Sequence, residues 1–462
     1  MSMRLSLSSL FPPALLLGLL LSGGTAFGQA STGTDFVDIR PKQNSPLSRF
    51  GLGDPVDQVH AAAAGMGGLQ TTYQDIFHLN LLNPASLASL QATSFEVGLY
   101  GRASQLHDQN SSADTYQGNL RYIALGFPLR NPINLSLERQ LNSWNGGMAF
   151  SLAPTTLVGY ELELKGFEED TGPTSNRLKG TGGAYRFTWS SALRYRGLSG
   201  GVNVNYNFGK LTNSRTLSFD SIPEALATEF LDEFNISGFS LGYGVQYAIN
   251  FTDLNEEGLK VPNGKRVIVG VNGTLGATVD SESSLLFRKF SPGDNVAVRD
   301  TVRFEDNVPG EIDLPAGINV GLAYEQVDRF FVGAEYGRQG YGSYRNTAQP
   351  EELADINRIA VGLQFIPNAT SYNNYWARVR YRLGARLEDD PRVISGEQAR
   401  RNAVTLGFGF PIQLPRQQVS FLDLAVEYGK FGVPDILDEN YVQLTLGFSL
   451  NDNSWFFKRK LN

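Results

Sequence analysis

Four arginines at even spacing, Arg378, Arg380, Arg382 and Arg386, share one side of a segment whose other side carries Ala377, Val379, Tyr381, Leu383 and Ala385. A guanidinium is a rigid fork of donors that holds a carboxylate through paired, charge-assisted bonds. The row is therefore either a structural ladder paired with acids such as Asp54, Asp75, Glu335, Asp423 and Glu427, or a grip for the carboxylate headgroup of a ligand. A second group is Asn83-Pro84-Ala85. Proline fixes its own backbone and biases the residue before it away from the helical region. The triplet is thus a rigid bend presenting the Asn83 side chain, or an ordinary Asn-Pro turn. Gly65, Gly67 and Gly68 permit close backbone approach, or form a plain glycine turn. The third feature is Pro154, set within the even-numbered row Met148, Phe150, Leu152, Thr156, Val158, Tyr160, Leu162 and Leu164, whose phase runs on across it. A proline cannot donate to a strand ladder. Trp144–Lys165 is then one long strand with a gap at Pro154, or Ala153–Thr155 is a hairpin turn and the strand count becomes odd.

Other chemistries find no support. Cysteine is absent, which excludes disulfides, thiolate metal sites and cysteine nucleophiles. Histidine occurs three times, at His60, His78 and His107, and neither G-x-S-x-G nor H-E-x-x-H is present. A non-enzymatic protein with no metal and no cofactor is expected. Lys+Arg 39 against Asp+Glu 46 gives −7, so a nucleic-acid partner is not expected.

The elements that must position these groups are strands. Gly 50, 11% aromatic and 18% charged residues suit an all-β chain with many turns. From Phe239 to Phe251 every odd residue is apolar and every even one small or polar, the mark of a strand with one oily face. Thirteen residues exceed the ~5–6 of an ordinary strand and reach the ~9–11 of a tilted membrane-spanning one. Similar rows recur at Phe95/Val97/Leu99, Ile123/Leu125/Phe127, Trp144–Leu164, Tyr185/Phe187/Trp189, Val202/Val204/Tyr206/Phe208 and Val267/Val269/Val271. They continue at Ile318/Val320/Leu322, Phe330/Val332/Ala334, Ile359/Val361/Leu363, Ala377/Val379/Tyr381, Val404/Leu406/Phe408, Leu422/Leu424/Val426 and Val442/Leu444/Leu446, fourteen in all. The fold expected is all-β: a 14-stranded antiparallel transmembrane β-barrel, oily rows toward lipid and polar rows toward the lumen.

Short connections at Gly197–Gly200, Gln326–Arg329 and Gln413–Gln418 alternate with long ones at Gln105–Gly118, Gly209–Asn235, Asp280–Glu311 and Asp389–Arg401, as an outer-membrane barrel requires. Ser221–Glu233 has the spacing of a short outer-loop helix capped by Ser221. Residues 1–28 read as a signal peptide: Arg4, the apolar run Ala14–Leu21, and Ala26-Phe27-Gly28 before the cut. Residues 29–92 do not alternate and are expected to fill the lumen as a plug, since a barrel this wide is not closed by its own side chains. Residues 93–450 are the barrel and 451–462 a periplasmic tail. A soluble periplasmic β-protein is the competing class.

SPLSRFGLGD (Ser45–Asp54), AAAAGMGGL (Ala61–Leu69) and LNPASLASL (Leu82–Leu90), leading into TSFEVGLYG (Thr93–Gly101), resemble the N-terminal hatch and first strand of the FadL/TodX family of outer-membrane transport proteins, in the form found in Bacteroidota. The WFFKRK ending (Trp455–Lys460) resembles that branch as well, although the chain stops at Asn462 rather than at an aromatic residue. The resemblance implies a lumenal hatch around Asn83-Pro84-Ala85 and Gly65, Gly67 and Gly68. It also implies a lateral exit at the kinked third strand, which Pro154 matches. The implied activity is passive transport of hydrophobic small molecules, long-chain fatty acids first, into outer-membrane lipid. The same resemblance also allows a docking or shuttle subunit of a secretion or gliding machine, with a protein partner.

Overall fold

Alternation of apolar and small or polar residues gives each strand one face that tolerates lipid and one that does not, and pairing all of them edge to edge satisfies every main-chain donor. The computed structural model describes residues 45–108, 112–130, 144–168, 172–219, 222, 225–254, 260–291, 297–347, 352–414, 418–433 and 436–452. The expected signal peptide (residues 1–28), Ser221, most of the expected C-terminal tail and its WFFKRK motif lie outside them.

In chain order the strands are β1 (Asp54–Pro55), β2 (Thr93–Asp108), β3 (Ser112–Pro128), β4 (Trp144–Glu168), β5 (Gly172–Tyr195), β6 (Leu198–Phe219), β7 (Ala227–Leu254), β8 (Lys260–Thr274) and β9 (Ala277–Ser291). There follow β10 (Ala297–Leu314), β11 (Gly317–Gln326), β12 (Phe330–Gln339), β13 (Arg345–Asn346), β14 (Ile356–Phe365), β15 (Arg380–Ile394), β16 (Glu397–Leu414), β17 (Gln418–Val433) and β18 (Leu437–Asp452). Fourteen of these, β2–β8, β11, β12 and β14–β18, form a closed antiparallel barrel. Closure is made by β18 on β2, in register from Leu437↔Asp108 to Asp452↔Thr93. The oily rows face outward: Phe239, Leu241, Val245, Tyr247, Ile249 and Phe251 are exposed on β7, whereas the intervening Gly244 and Gln246 are buried.

The expected long loops are largely strand. β4 to β7 run for 25, 24, 22 and 28 residues, well past membrane thickness. The helix expected over Ser221–Glu233 is not what its described part forms: from Ala227 onward the segment belongs to β7. Asp280–Glu311 is a β-hairpin, with β9 paired to the upper part of β7 and β10 to β9. Above the bilayer the outward face no longer needs apolar residues, so alternation fades while the main-chain ladder continues. The inner face of this raised wall packs Val158, Tyr160, Leu178, Leu211, Phe234, Ile236, Val279 and Ile312 into an apolar cluster.

Pro154 lies inside β4, not in a turn, and a one-residue bulge follows it between Pro154↔Tyr185 and Thr156↔Ala184. The phase therefore does flip, contrary to the continuous row read from the sequence. Phe150 and Leu152 are exposed below the bulge, and Val158 and Tyr160 are buried in the interior cluster above it. A bulge shifts a strand by one residue, which exchanges its two faces.

Candidate functional site

Residues 45–92 carry little regular structure: 3₁₀ turns at Pro46–Arg49 and Pro84–Ser89, the two-residue β1, and one helical turn at Ala61–Ala64. They pack against inward residues all round the barrel, through Leu69 and Tyr73 beside Phe331 on one side and Leu79 and Leu87 beside Tyr122 and Ala149 on the other. Glycines of the wall make this fit. A Cβ on Gly362 would sit 2.4 Å from the Met66 carbonyl oxygen, and one on Gly244 would sit 2.0 Å from Asn83 Oδ1.

The Asn83-Pro84-Ala85 bend is fully buried against β6 and β7. Asn83 caps the turn Pro84–Ser89 by accepting from the Ala85 N–H at 3.1 Å, and its Nδ2 donates to the Thr71 carbonyl at 2.7 Å. It thus staples two passes of the plug together. Gly67 and Gly68 both have positive φ, +66° and +79°, and a Cβ on Gly67 would lie 2.7 Å from the Ala385 carbonyl oxygen. Gly65 lies against Gly407 in the same way.

Charge holds this plug to the wall. Arg380 pairs with Asp75 at 2.5 Å, and Arg386 pairs with Asp57 at 2.5 Å and with Glu427 at 2.6 Å. Arg382 pairs with Asp423 at 2.5 Å and donates to Gln364 at 2.8 Å. Arg378 is not on the strand with the others. It ends a 3₁₀ turn (Trp376–Arg378) before β15 and lies over the Tyr375 ring, because the chain bends there before the ladder begins. Three further arginines, which sequence reasoning passed over, do similar work. Arg121 meets Asp57 at 3.2 Å, Arg392 meets Asp54 at 2.5 Å, and Arg358 meets Glu335 at 3.1 Å while donating to the Gly68 carbonyl at 2.8 Å. Glu335 also accepts from the N–H groups of Gln70 and Thr71. Burial works against the charge of Asp75, yet Arg380 and His78 hold its carboxyl far below the usual range.

At Pro154 the wall is incomplete. β3 and β4 pair only from Pro128↔Gly147 to Ile123↔Leu152. Above that point β4 pairs with the plug instead, through Asp54↔Leu157 and Pro55↔Thr156, and Ser45 donates to the Gly159 carbonyl at 2.8 Å. On the β3 side the plug is held by side chains, Arg121 to the Val59 carbonyl at 2.7 Å and Gln117 to Asp54 at 3.4 Å. The plug therefore lies in a seam between β3 and β4. A cavity of about 390 Å³ opens on the loop side of the plug and reaches this seam at Pro55, Ala153, Thr155 and Thr156.

A family model, BamG, matches residues 40–462, nearly the whole of this arrangement. The chain belongs to the BamG family. No curated protein matches it. Among solved structures, the toluene transporter TodX of Pseudomonas putida is 17% identical, covering 87% of this chain and 99% of that one, with a TM-score of 0.50. The toluene transporter TbuX of Ralstonia pickettii is 13% identical, covering 85% and 98%, also at 0.50. At such identity the likeness concerns the fold, that of FadL/TodX-type channels. With its closed barrel and lipid-facing belt, this BamG-family member is an outer-membrane β-barrel.

The cavity wall of this BamG-family chain holds groups that the sequence reading did not single out: Arg186 on β5, Asn203, Asn205 and Asn207 on β6, and Asn272 on β8. The signal for the asparagines was present, since they alternate with the lipid-facing Val202, Val204 and Tyr206. The signal for Arg186, between Tyr185 and Phe187, was the same.

Proposed function

We propose that this barrel is a passive transporter of hydrophobic small molecules, with long-chain fatty acids as the first class to test. Cargo enters the outer cavity, moves along it to the seam beside Pro154, and leaves sideways into lipid while β1 yields. Transfer from water to the bilayer at ~0.8 kcal/mol per CH₂ supplies the drive. The observation that supports this reading is the contact of the outer cavity with the one stretch of β4 that β3 leaves unpaired.

The chain has no cysteine of its own, so the seam can be locked cleanly. Pro55 and Thr156 are direct partners in register. A Pro55→Cys/Thr156→Cys barrel in proteoliposomes is expected to lose uptake of a labelled fatty acid when oxidised and regain it when reduced. Equal uptake in both states removes the lateral path.

The ion-paired plug favours a second reading, a docking or shuttle subunit of a larger machine. A plug held this firmly makes a rigid scaffold without any flux. Co-purification of a large protein partner together with no saturable lipid uptake selects that reading.

A further inference from the structure

We propose that residues 366–379, the connection between β14 and β15, form a lipid-binding foot on the outside of the barrel, in which Arg378 holds the phosphate of an anionic phospholipid of the periplasmic leaflet and Tyr372, Tyr375 and Trp376 lie at the membrane surface around it. The inference is independent of what the lumen carries.

The connection is long for its task. On the rim that carries the short turns, the periplasmic one in an outer-membrane barrel, residues 196–197 and 327–329 join their strands in two and three residues, whereas this connection uses fourteen. It is also pinned. The Asn368 N–H donates to the Ala377 carbonyl at 2.8 Å, the Tyr375 hydroxyl donates to the Pro411 carbonyl at 3.3 Å, and the Tyr381 hydroxyl donates to the Trp376 carbonyl at 3.1 Å. Yet the pinned segment leaves Tyr372 95% and Trp376 62% exposed, with Tyr375 exposed beside them. Large rings held in the open by a fixed backbone mark an interaction surface.

What covers that surface is read from what it continues. Trp376 meets Phe410 edge-on at 6.5 Å, Phe410 stacks on Phe408 at 6.2 Å, and Phe408 meets Tyr381 edge-on at 5.9 Å. Phe408 and Phe410 extend the exposed row of Val404 and Leu406 on β16, and Tyr381 extends that of Leu383 and Leu387 on β15. The open rings are therefore the lower end of the lipid-facing belt, at the level where Trp and Tyr favour the membrane–water interface. Charge then selects the lipid. Residues 366–379 contain no acid, and Arg378 is their one charge. Unlike Arg380, Arg382 and Arg386, it pairs with no carboxylate among the described residues: it lies 5.4 Å over the Tyr375 ring, and its Nε is buried without an acceptor there. A guanidinium with free donors is matched in shape and charge by a phosphate.

The experiment reads Trp376 in the full barrel, in phosphatidylcholine nanodiscs doped with phosphatidylglycerol or phosphatidylcholine brominated near the headgroup end of the acyl chains. Trp376 is one of four tryptophans, and its emission is the difference between the barrel and Trp376→Phe. Both brominated lipids are expected to quench it, phosphatidylglycerol about fivefold more effectively at equal mole fraction, the ratio that corresponds to about 1 kcal/mol for one basic residue near an anionic surface. Arg378→Gln should make the two lipids equal and leave quenching by phosphatidylcholine unchanged. Arg378→Lys should keep part of the preference, and Arg196→Gln, in an exposed turn of the same rim, should keep all of it. Quenching of Trp376 by aqueous acrylamide but by neither lipid overturns the proposal and assigns the surface to water or to a protein partner. Equal quenching by the two lipids in the unaltered barrel overturns the Arg378 site, as does a preference that survives Arg378→Gln.

Discussion

Asp57 is the plug residue on which removal of one charge should be felt most. Its Oδ2 lies 2.5 Å from Arg386 and 3.2 Å from Arg121. In Asp57→Asn, Arg386 keeps Glu427. Arg121, whose side chain is 2% exposed, retains among the described residues only the Val59 carbonyl and Thr445 as partners. Stranding a buried charge in this way costs about 3–5 kcal/mol. Asparagine still accepts a hydrogen bond, so the lower end applies, and at about 1.4 kcal/mol per factor of ten the detached plug should rise roughly 100-fold. The assay is conductance of the barrel in planar bilayers together with protease cleavage within residues 45–92. The variant should show openings and faster cleavage. Glu161→Gln, which breaks an exposed pair with Arg177, should change neither. Acid supplies an independent check. Burial raises the Asp57 pKa, but Arg386, Arg121 and Arg358 outweigh it and hold the group well below the ordinary 3.8. A depressed carboxyl contributes fully above 3.8 and is lost only as pH falls further, so the wild-type plug should remain closed at pH 5. A variant as closed and as protease-resistant as wild type would refute the electrostatic clamp.

His78 should act in the opposite direction. Burial lowers its pKa, but Asp423, Asp75 and Glu96 together raise it above the usual 6.5. The stabilisation is complete below pH 6.5 and is lost as pH rises through the higher folded value, so wild-type plug cleavage should accelerate toward alkaline pH and His78→Gln should flatten that rise. Gly362→Val should displace the plug at Met66, because the carbonyl oxygen 2.4 Å from the added Cβ is backbone. Overpacking of about 1–3 kcal/mol should appear as a lower unfolding temperature. Val245→Arg places a charge on the lipid face of β7, where about 2–4 kcal/mol is lost at the midplane. Equilibrium unfolding in urea should show it, and an unchanged value would place Val245 away from lipid.

The barrel was legible in the sequence because lipid and lumen impose opposite solvents on alternate residues, and a period of two survives in the chain as written. Fourteen oily rows and a non-alternating N-terminal stretch follow from that alone. Alternation stops carrying information where lipid stops, which is why β9, β10 and the tops of β6 and β7 read as loops. A bulge is invisible for a similar reason: one extra residue after Pro154 exchanges faces, but apolar residues on either side of it look like one row. Whether Arg380, Arg382 and Arg386 meet cargo or acids was open along the chain, since their partners Asp75, Asp423 and Glu427 come from distant segments that only closure brings together. The same closure left Arg186 with amide oxygens alone, beside a seam that exists because β3 and β4 part company. Periodicity is a local consequence of solvent and was written in the residues. Pairing is a consequence of which strands meet across the lumen, and it was decided only in three dimensions.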